Sequence, residues 1–423
     1  MQAAPLHPLR THARVLTASL VGTAIEFYDF YIYATAAALV IGPLFFPAQS
    51  VAAQQLLSFM TFGLAFFARP VGAIAFGHFG DRVGRKSTLV ASLMLMGGST
   101  VLIAFLPTYA MAGPLAPALL CLLRFGQGFG LGGEWGGAAL LAVENAPPGW
   151  AARFGSAPQL GAPVGFLAAN GLFLLLGLTL TEADFAAWGW RIPFLASAAL
   201  VAVGLWVRLN IGETAAFAAA RDSAPPPRVP LGALLTGHAP AVLAGIAGVV
   251  ACFAIFYLAT TFALSFGTKT LGYPRDTFLA VQLAANLFLA LGILAAGWWA
   301  DRTSAARVLA TGAVLTALVG VVFGSGLGSG ALGLVWLTLA AALFVMGLTY
   351  GPLGAWLQTL YPVEVRYTGI SVAFNLGGII GGALAPFAAQ ALADRGGTAY
   401  VGLFLTLAGA VTFAGVRLGR ARH

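Results

Sequence analysis

This chain predicts an all-α integral membrane protein with twelve transmembrane helices in two pseudo-symmetric six-helix bundles. Three observations carry that reading: an interior-like composition, a succession of apolar segments of bilayer length, and a polar motif that returns half a chain later. Of 423 residues, 60% are hydrophobic and only 8% are charged. A water-soluble domain carries roughly a quarter charged residues, so too little polar surface remains to solvate a particle of this size. The mean hydropathy of +0.91 agrees. The 55 glycines suit membrane helices that approach one another closely. In a soluble chain a net charge of +8 would raise nucleic-acid binding. Here the basic residues sit in short hydrophilic gaps, and no nucleic-acid partner is expected. Cys121 and Cys252 lie inside apolar runs, with neither metal-ligand spacing nor a disulfide framework.

Twelve apolar segments lie near 15–42, 51–76, 87–106, 114–143, 154–179, 189–210, 237–267, 276–299, 306–327, 331–359, 367–392 and 398–418. Each can cross ~30 Å of hydrocarbon as a helix. The first apolar run, from Val15 to about Phe46, is too long for the core of a cleavable signal and contains Glu26 and Asp29, so it reads as the first span. The most polar stretch, Gly212 to Pro230, includes Pro225-Pro226-Pro227 and reads as a linker. The expected division is therefore 1–211, a linker at 212–236, and 237–423. With the N-terminus inside, 15 of the 21 Lys and Arg residues fall in inside loops and tails, which predicts two cytoplasmic termini.

The halves repeat. Gly77-His-Phe-Gly80-Asp81-Arg82-Val-Gly84-Arg85-Lys86 follows segment two, and Gly297-Trp-Trp-Ala-Asp301-Arg302 follows segment eight, with the aligned positions 220 residues apart. Arg153-Phe-Gly before segment five likewise resembles Arg366-Tyr-Thr-Gly before segment eleven. The first copy reads as a short basic loop whose glycines allow a tight turn.

Ionisable residues inside a membrane are costly and are functional candidates by default. Glu26, Asp29 and Tyr33 are spaced three and four apart, on one helix face. Arg124, Gln127 and Glu134 share an arc of segment four. At ~1.5 Å per residue Asp29 and Arg124 both lie near mid-depth, so the expectation is a polar stripe on segment one facing a polar stripe on segment four. A nearby guanidinium favours the charged form of a carboxyl and burial favours the neutral one, a competition that proton coupling needs. A static pair that only holds two helices together is the other reading, and for Glu134 a pairing with Arg69, itself near the inner end of segment two and able to snorkel. The second half places its acids (Asp276, Asp301, Glu364, Asp394) at segment ends. Within its segments it offers Tyr257, Gln282, Asn286, Tyr350 and Asn375, which can hydrogen-bond a solute but not take up a proton near neutral pH.

The repeated loop resembles the signature of the major facilitator superfamily, which is among the families built from duplicated membrane bundles around a central site. Its second copy lacks the family's Gly-Arg pair, with Ala305-Ala306 near that place. Finer matches are similar to the metabolite:proton symporter branch: Gly22-Thr-Ala-Ile-Glu26-Phe-Tyr-Asp29-Phe30, Phe45-Phe46-Pro47, Arg69-Pro70, Arg124-Phe-Gly-Gln127-Gly128, Gly132-Gly133-Glu134-Trp135, Trp190-Arg191-Ile-Pro193-Phe194 and Tyr350-Gly351-Pro352. That branch includes permeases for α-ketoglutarate, citrate, shikimate, and proline or betaine. It usually has Glu near the position of Gln358, a departure here. The resemblance implies a proton-coupled symporter working by alternating access in a bacterial cytoplasmic membrane, a functional monomer with the proton as coupling ion and no other cofactor. Asp29, Glu26 and Glu134 are the candidates for the proton. Arg124, Gln127, Tyr28, Tyr33, Gln159, Tyr257, Gln282, Asn286, Tyr350 and Asn375 are the candidates for the solute. Arg69, Gly77, Gly80, Asp81, Arg82, Gly84, Arg85, Lys86, Arg191, Asp301 and Arg302 are the candidates for gating.

Arg124 suits a carboxylate, because a guanidinium binds it bidentately, and Lys269, Arg275 and Arg191 could steer an anion at the outer mouth. A small organic acid (mono-, di- or tricarboxylate) is therefore the expected solute. A zwitterion such as proline or betaine, or an efflux antiporter or facilitator, is the alternative. No Ser/His/Asp set, metal cluster or cofactor loop points to an enzyme.

Overall fold

The computed structural model describes residues 13–83, 85–132, 135, 139, 142–144, 146–210, 234, 236–362 and 365–420, the side chains at 14, 15, 18, 77–89 and 207–210 excepted. Its long helices are α1 (Ala13–Leu39), α2 (Val51–Val83), α3 (Arg85–Ile103), α4 (Leu115–Leu131), α5 (Ala151–Thr179), α6 (Ile192–Asn210), α7 (Ala239–Lys269), α8 (Arg275–Arg302), α9 (Ala305–Gly328), α10 (Leu332–Thr359), α11 (Arg366–Gly396) and α12 (Thr398–Arg420). They follow the twelve apolar segments in order. Among the described residues nine helices are long and apolar enough to cross a membrane, and 90–103 and 115–131 add shorter apolar helices. Large apolar side chains such as Met111, Leu122, Leu178, Val321 and Leu407 point outward, as a surface facing lipid requires. The expected linker lies almost wholly outside the described residues.

In the first half α1 packs on α5, α2 on α4, and α3 on α4 and α6; in the second, α7 packs on α11 and α12, and α8 on α10. The halves meet along two equivalent seams, α5 against α8 and α2 against α11. Adding six to either helix of one seam gives a helix of the other, so the sequence repeat is also a packing repeat.

Glycine sets the closest of these contacts. A Cβ on Gly128 of α4 would lie 2.0 Å from the Ala65 carbonyl oxygen of α2, and one on Gly292 of α8 would lie 2.3 Å from that of Phe344 in α10. Small residues let membrane helices dock backbone to backbone, where van der Waals contact is the available attraction.

One expectation is corrected. The basic loop after segment two is not an open loop: α2 is helical through Val83 and α3 starts at Arg85, so Gly77 and Gly80 are helical residues rather than turn residues. Gly84 lies outside the described residues, and the side chains of Asp81, Arg82, Arg85 and Lys86 are not described. The second copy is as tight. Asp301 and Arg302 close the last turn of α8, and Ser304 caps α9, its Oγ accepting from the Arg307 N–H at 3.2 Å. The physical reason is common to both: apolar segments shorter than their helices say nothing about how far polar ends stay helical.

Candidate functional site

The seam between the halves encloses a chamber of about 30 Å³, lined by Glu26, Phe27 and Phe30 of α1, Arg69 of α2, Leu131, Gly132 and Trp135 at the end of α4, Phe253 and Tyr257 of α7, and Ser371, Phe374 and Asn375 of α11. That volume holds water but no metabolite, so the chain is captured around a collapsed site. Arg69 is 7% exposed. Its guanidinium carbon lies 4.5 Å from the Phe30 ring centroid and 4.4 Å from that of Phe66, and its Nε has no hydrogen-bond partner. Among the described residues Glu26 is a carboxylate within electrostatic reach of it. Asn375 donates from Nδ2 to the Gly132 carbonyl at 3.2 Å, joining the two halves. Trp135 donates its indole N–H to Gln159 Oε1 at 3.3 Å and to the Tyr350 hydroxyl at 3.2 Å, again one partner from each half.

A second, smaller cavity of about 10 Å³ lies along the same seam, lined by Tyr31, Thr35, Asn170, Thr260, Thr261 and Gln282 among others. Thr35 donates to Asn170 Oδ1 at 2.7 Å. Gln282 donates to the Ala259 and Thr260 carbonyls at 3.1 and 2.8 Å. Those carbonyls belong to a π-helical turn, Leu258–Phe262, that interrupts α7, and Ile379–Ala383 does the same in α11. Such insertions free backbone acceptors, and here an α8 amide takes two of them. Asn286 donates to the Pro163 carbonyl of α5 at 2.9 Å and so also bridges the halves.

Asp29 and Arg124 do not meet as expected. Arg124 is fully buried inside the first half, where Nε donates to the Thr61 carbonyl at 3.3 Å, Nη2 to that of Phe62 at 2.9 Å, and Nη1 to Gln127 Oε1. Its guanidinium carbon lies 3.7 Å from the Tyr33 ring centroid, and the Tyr33 hydroxyl meets Thr61 Oγ1 at 2.7 Å. Asp29, 0% exposed, turns the other way and accepts from Ser197 Oγ of α6. Gln127 is the link between them, donating from Nε2 to the Asp29 carbonyl and to Thr100 Oγ1, both at 2.9 Å. Neither Asp29 nor Arg124 lines either of these two cavities. The reason is that three-residue spacing spreads Glu26 and Asp29 over ~60° of arc, enough for one to face the chamber while the other packs against α6. Tyr28 is corrected likewise: its hydroxyl donates to the Pro193 carbonyl of α6 at 2.9 Å. Glu134 lies outside the described residues.

The gating expectations divide. Asp301 reaches across the seam and accepts from the Ala152 N–H at 2.7 Å, the Arg153 N–H at 3.2 Å and Arg153 Nε at 2.6 Å. A carboxylate on the first turn of α5 meets exposed N–H groups and the positive end of the helix dipole. At the opposite end of the same two helices Arg275 Nη1 meets Glu182 Oε2 at 3.1 Å, and between α7 and α2 Lys269 donates to Gln55 Oε1. These contacts make Lys269 and Arg275 latches between the halves rather than free steering cations. Both ends of the seam are thus closed. Arg69 is no snorkelling end residue but a chamber wall. Arg191 stays within the first half, donating to the Ala104 and Leu106 carbonyls just past α3, and Arg302 stacks 3.6 Å from Trp298. The residues that sequence reasoning passed over are Ser371, Phe374, Phe253, Arg153 and Glu182. Trp135 was visible as the aromatic beside Glu134, and Arg153 as the basic residue repeated before segment five.

Residues 15–224 match the family model described as Sugar (and other) transporter. An inner membrane metabolite transport protein of Escherichia coli (strain K12) is 48% identical over 98% of this chain and 96% of its own. The shikimate transporter of the same organism is 38% identical over 90% of this chain and 87% of its own. Among solved structures, that of a proton:xylose symporter of the major facilitator superfamily bound to 6-bromo-6-deoxy-D-glucose superposes with a TM-score of 0.76, at 14% identity, over 97% of this chain and 95% of that one. At that identity the likeness concerns the fold alone.

Proposed function

From the premise that this chain belongs to the major facilitator superfamily as a metabolite transporter and not an enzyme, we propose that it is a proton-coupled symporter of a small organic acid, working by alternating access around the chamber at Glu26 and Arg69. The observation that carries this reading is one carboxylate and one guanidinium lining the same buried space between two halves. A substrate carboxylate that docks on Arg69 competes with Glu26 for its charge. Burying two negative charges against one positive is costly, and a proton on Glu26 removes the excess. Loading the anion and loading the proton then become one event. Asp29, held by Ser197 away from both cavities, serves the packing of α1 on α6. The name of the shikimate transporter, a relative that carries a carboxylic acid, supports the same class of solute.

The end of the seam closed by Asp301 is assigned to the cytoplasm, because the basic residues of both tails and of the even-to-odd connections gather there. On this reading the chain sits in a bacterial inner membrane, as its inner membrane relative supports, with both termini inside. The chamber is built by a single chain, so one chain suffices as the transport unit.

Glu26→Gln separates the charge-balance mechanism from a merely structural acid. In proteoliposomes with an inward pH gradient, Glu26→Gln should lose acid uptake driven by that gradient while retaining acid-for-acid exchange. Asp29→Asn should keep both. Gradient-driven uptake at the wild-type rate in Glu26→Gln would remove Glu26 from the coupling step.

A further inference from the structure

The smaller of the two cavities, about 10 Å³ between α1, α5, α7 and α8, has no part in the mechanism above. We infer that it is a site for one sodium ion, held between the two halves by neutral oxygens.

The side chains around it have spent their protons elsewhere. Thr35 gives its hydroxyl proton to Asn170 Oδ1 at 2.7 Å, and Thr260 gives its own to the Phe256 carbonyl at 2.7 Å. Gln282 commits its amide nitrogen to the Ala259 and Thr260 carbonyls, and two carbonyl partners fix which end of the amide faces them. Thr35 Oγ1, Thr260 Oγ1 and Gln282 Oε1 are therefore left as acceptors. Their residues are 4%, 4% and 1% exposed, and all three line the cavity. The hydroxyls of Tyr31 and Thr261 complete the polar lining and are free to rotate an oxygen inward. Asn170 uses Oδ1 on Thr35 and Nδ2 on the Phe166 carbonyl at 3.4 Å.

A small space ringed by acceptors asks for a ligand that gives and does not take. A water fits, but it has two protons for at least three acceptors. A metal cation meets them all at once, and oxygen ligands suit a hard one. None of the nine described residues lining the cavity is charged, so a divalent ion would lie buried with no countercharge, and a monovalent ion costs less. The room is that of one water-sized particle, which admits a sodium ion stripped of its hydration shell. The walls resist a larger ion: Tyr31 and Phe166 are packed against Phe256, with ring centroids 5.1 and 6.0 Å away.

The backbone points the same way. The cavity rests on the π-helical turn of α7, where the consecutive residues Thr260 and Thr261 both line it. Interruptions of this kind recur at functional sites, and membrane carriers use broken helices to bring oxygens to a coupling ion. Thr35 belongs to the first half, and Thr260 and Gln282 to the second. An ion that they share is bound only while this part of the seam is closed, so sodium acts as a clamp on the closed state. Glu26 and Arg69 line the other cavity, so the ion binds with or without a coupled proton.

The test uses the purified full chain in lipid nanodiscs. Melting temperature is read in sodium, lithium, potassium and choline chlorides at equal ionic strength. Sodium should stabilise the chain at concentrations at least tenfold below potassium, and choline should not stabilise it at all. Thr35→Val and Thr260→Val, which each remove one oxygen, should weaken sodium at least tenfold. Ala34→Val, which fills the space without touching a polar group, should abolish the effect. Equilibrium dialysis of the unaltered chain with radioactive sodium should find one ion per chain, and this decides the matter even if a valine variant does not fold. Equal shifts in all four salts, or no bound sodium at 100 mM, overturn the inference. Potassium acting in place of sodium overturns the choice of ion. A sodium effect unmoved by all three substitutions overturns the assignment to this cavity.

Discussion

Two arginines of the first half, Arg69 and Arg124, are both deeply buried, both lie against the ring of Phe30, and differ in what satisfies them. Arg124 gives hydrogen bonds to two α2 carbonyls and to Gln127, all within its own half, and stacks on Tyr33. Arg69 faces the seam, with an unpartnered Nε and a carboxylate nearby. A cation whose donors are filled by its own bundle holds that bundle together in every state of the transport cycle. A cation at the seam with a donor to spare can exchange partners when the halves move. Depth in the membrane is therefore a poor guide to which charge does chemistry; the state of its hydrogen bonds is a better one.

The largest effects should break this comparison if it is wrong. Arg69→Gln removes the anion-holding charge but no hydrogen bond made by its Nε, so uptake should fall by roughly two orders of magnitude while the melting temperature stays within a few degrees. Arg124→Gln removes donors to two carbonyls and to Gln127 and should cost about 3 kcal/mol, seen as a fall of several degrees in melting temperature and a lower folded yield. Its residual uptake per folded molecule should exceed that of Arg69→Gln. Uptake assays normalised to monodisperse protein check both. If Arg124→Gln is stable and inactive while Arg69→Gln transports, the roles are reversed.

That such a distinction escapes the sequence has a physical cause. Spans, order and the two-fold repeat are legible because each depends on local hydrophobicity or on residue identity at fixed spacing. The seams follow as well, since equivalent helices must pack equivalently. Which of two acids three residues apart faces the chamber depends on a rotation of α1 by a few tens of degrees, fixed by Gly161 and Gly165 of α5 admitting its backbone near Thr23, Ala24 and Tyr28. The Trp135–Phe374 contact joins residues from different halves, and nothing local to either announces it. The π-helical turns in α7 and α11 also leave no mark on an apolar run, because inserting one residue among many aliphatic ones does not change its hydropathy.

The two ends of the α5–α8 seam sharpen the comparison on a smaller scale. At one end Asp301 is buried, its side chain 3% exposed, and it takes two backbone N–H groups and Arg153 Nε at once. Charge-assisted bonds of this kind are each worth ~1.5–3 kcal/mol when buried. Asp301→Ala should therefore shift the balance toward the state open at that end by an order of magnitude or more. A single cysteine placed at Ser156, which donates to the Gly351 carbonyl at 3.3 Å inside the seam, reports it in a background lacking Cys121 and Cys252. Its modification by a water-soluble maleimide should accelerate at least tenfold in Asp301→Ala; an unchanged rate would remove Asp301 from the closure of that end.

At the other end the pair is Arg275 with Glu182, and Glu182 is 81% exposed. Exposed ion pairs contribute little, because water screens the attraction and long side chains lose entropy on pairing. Arg275 keeps a second contact in any case, its guanidinium 3.6 Å from the Phe185 ring centroid. Glu182→Gln should consequently change uptake by no more than about twofold, and that small change should vanish as ionic strength rises and the Debye length contracts. Uptake measured at low and at high salt decides the matter. A large loss in Glu182→Gln that persisted at high salt would mean that this end closes through its charges, as the Asp301 end does, rather than through the apolar and aromatic packing beneath them.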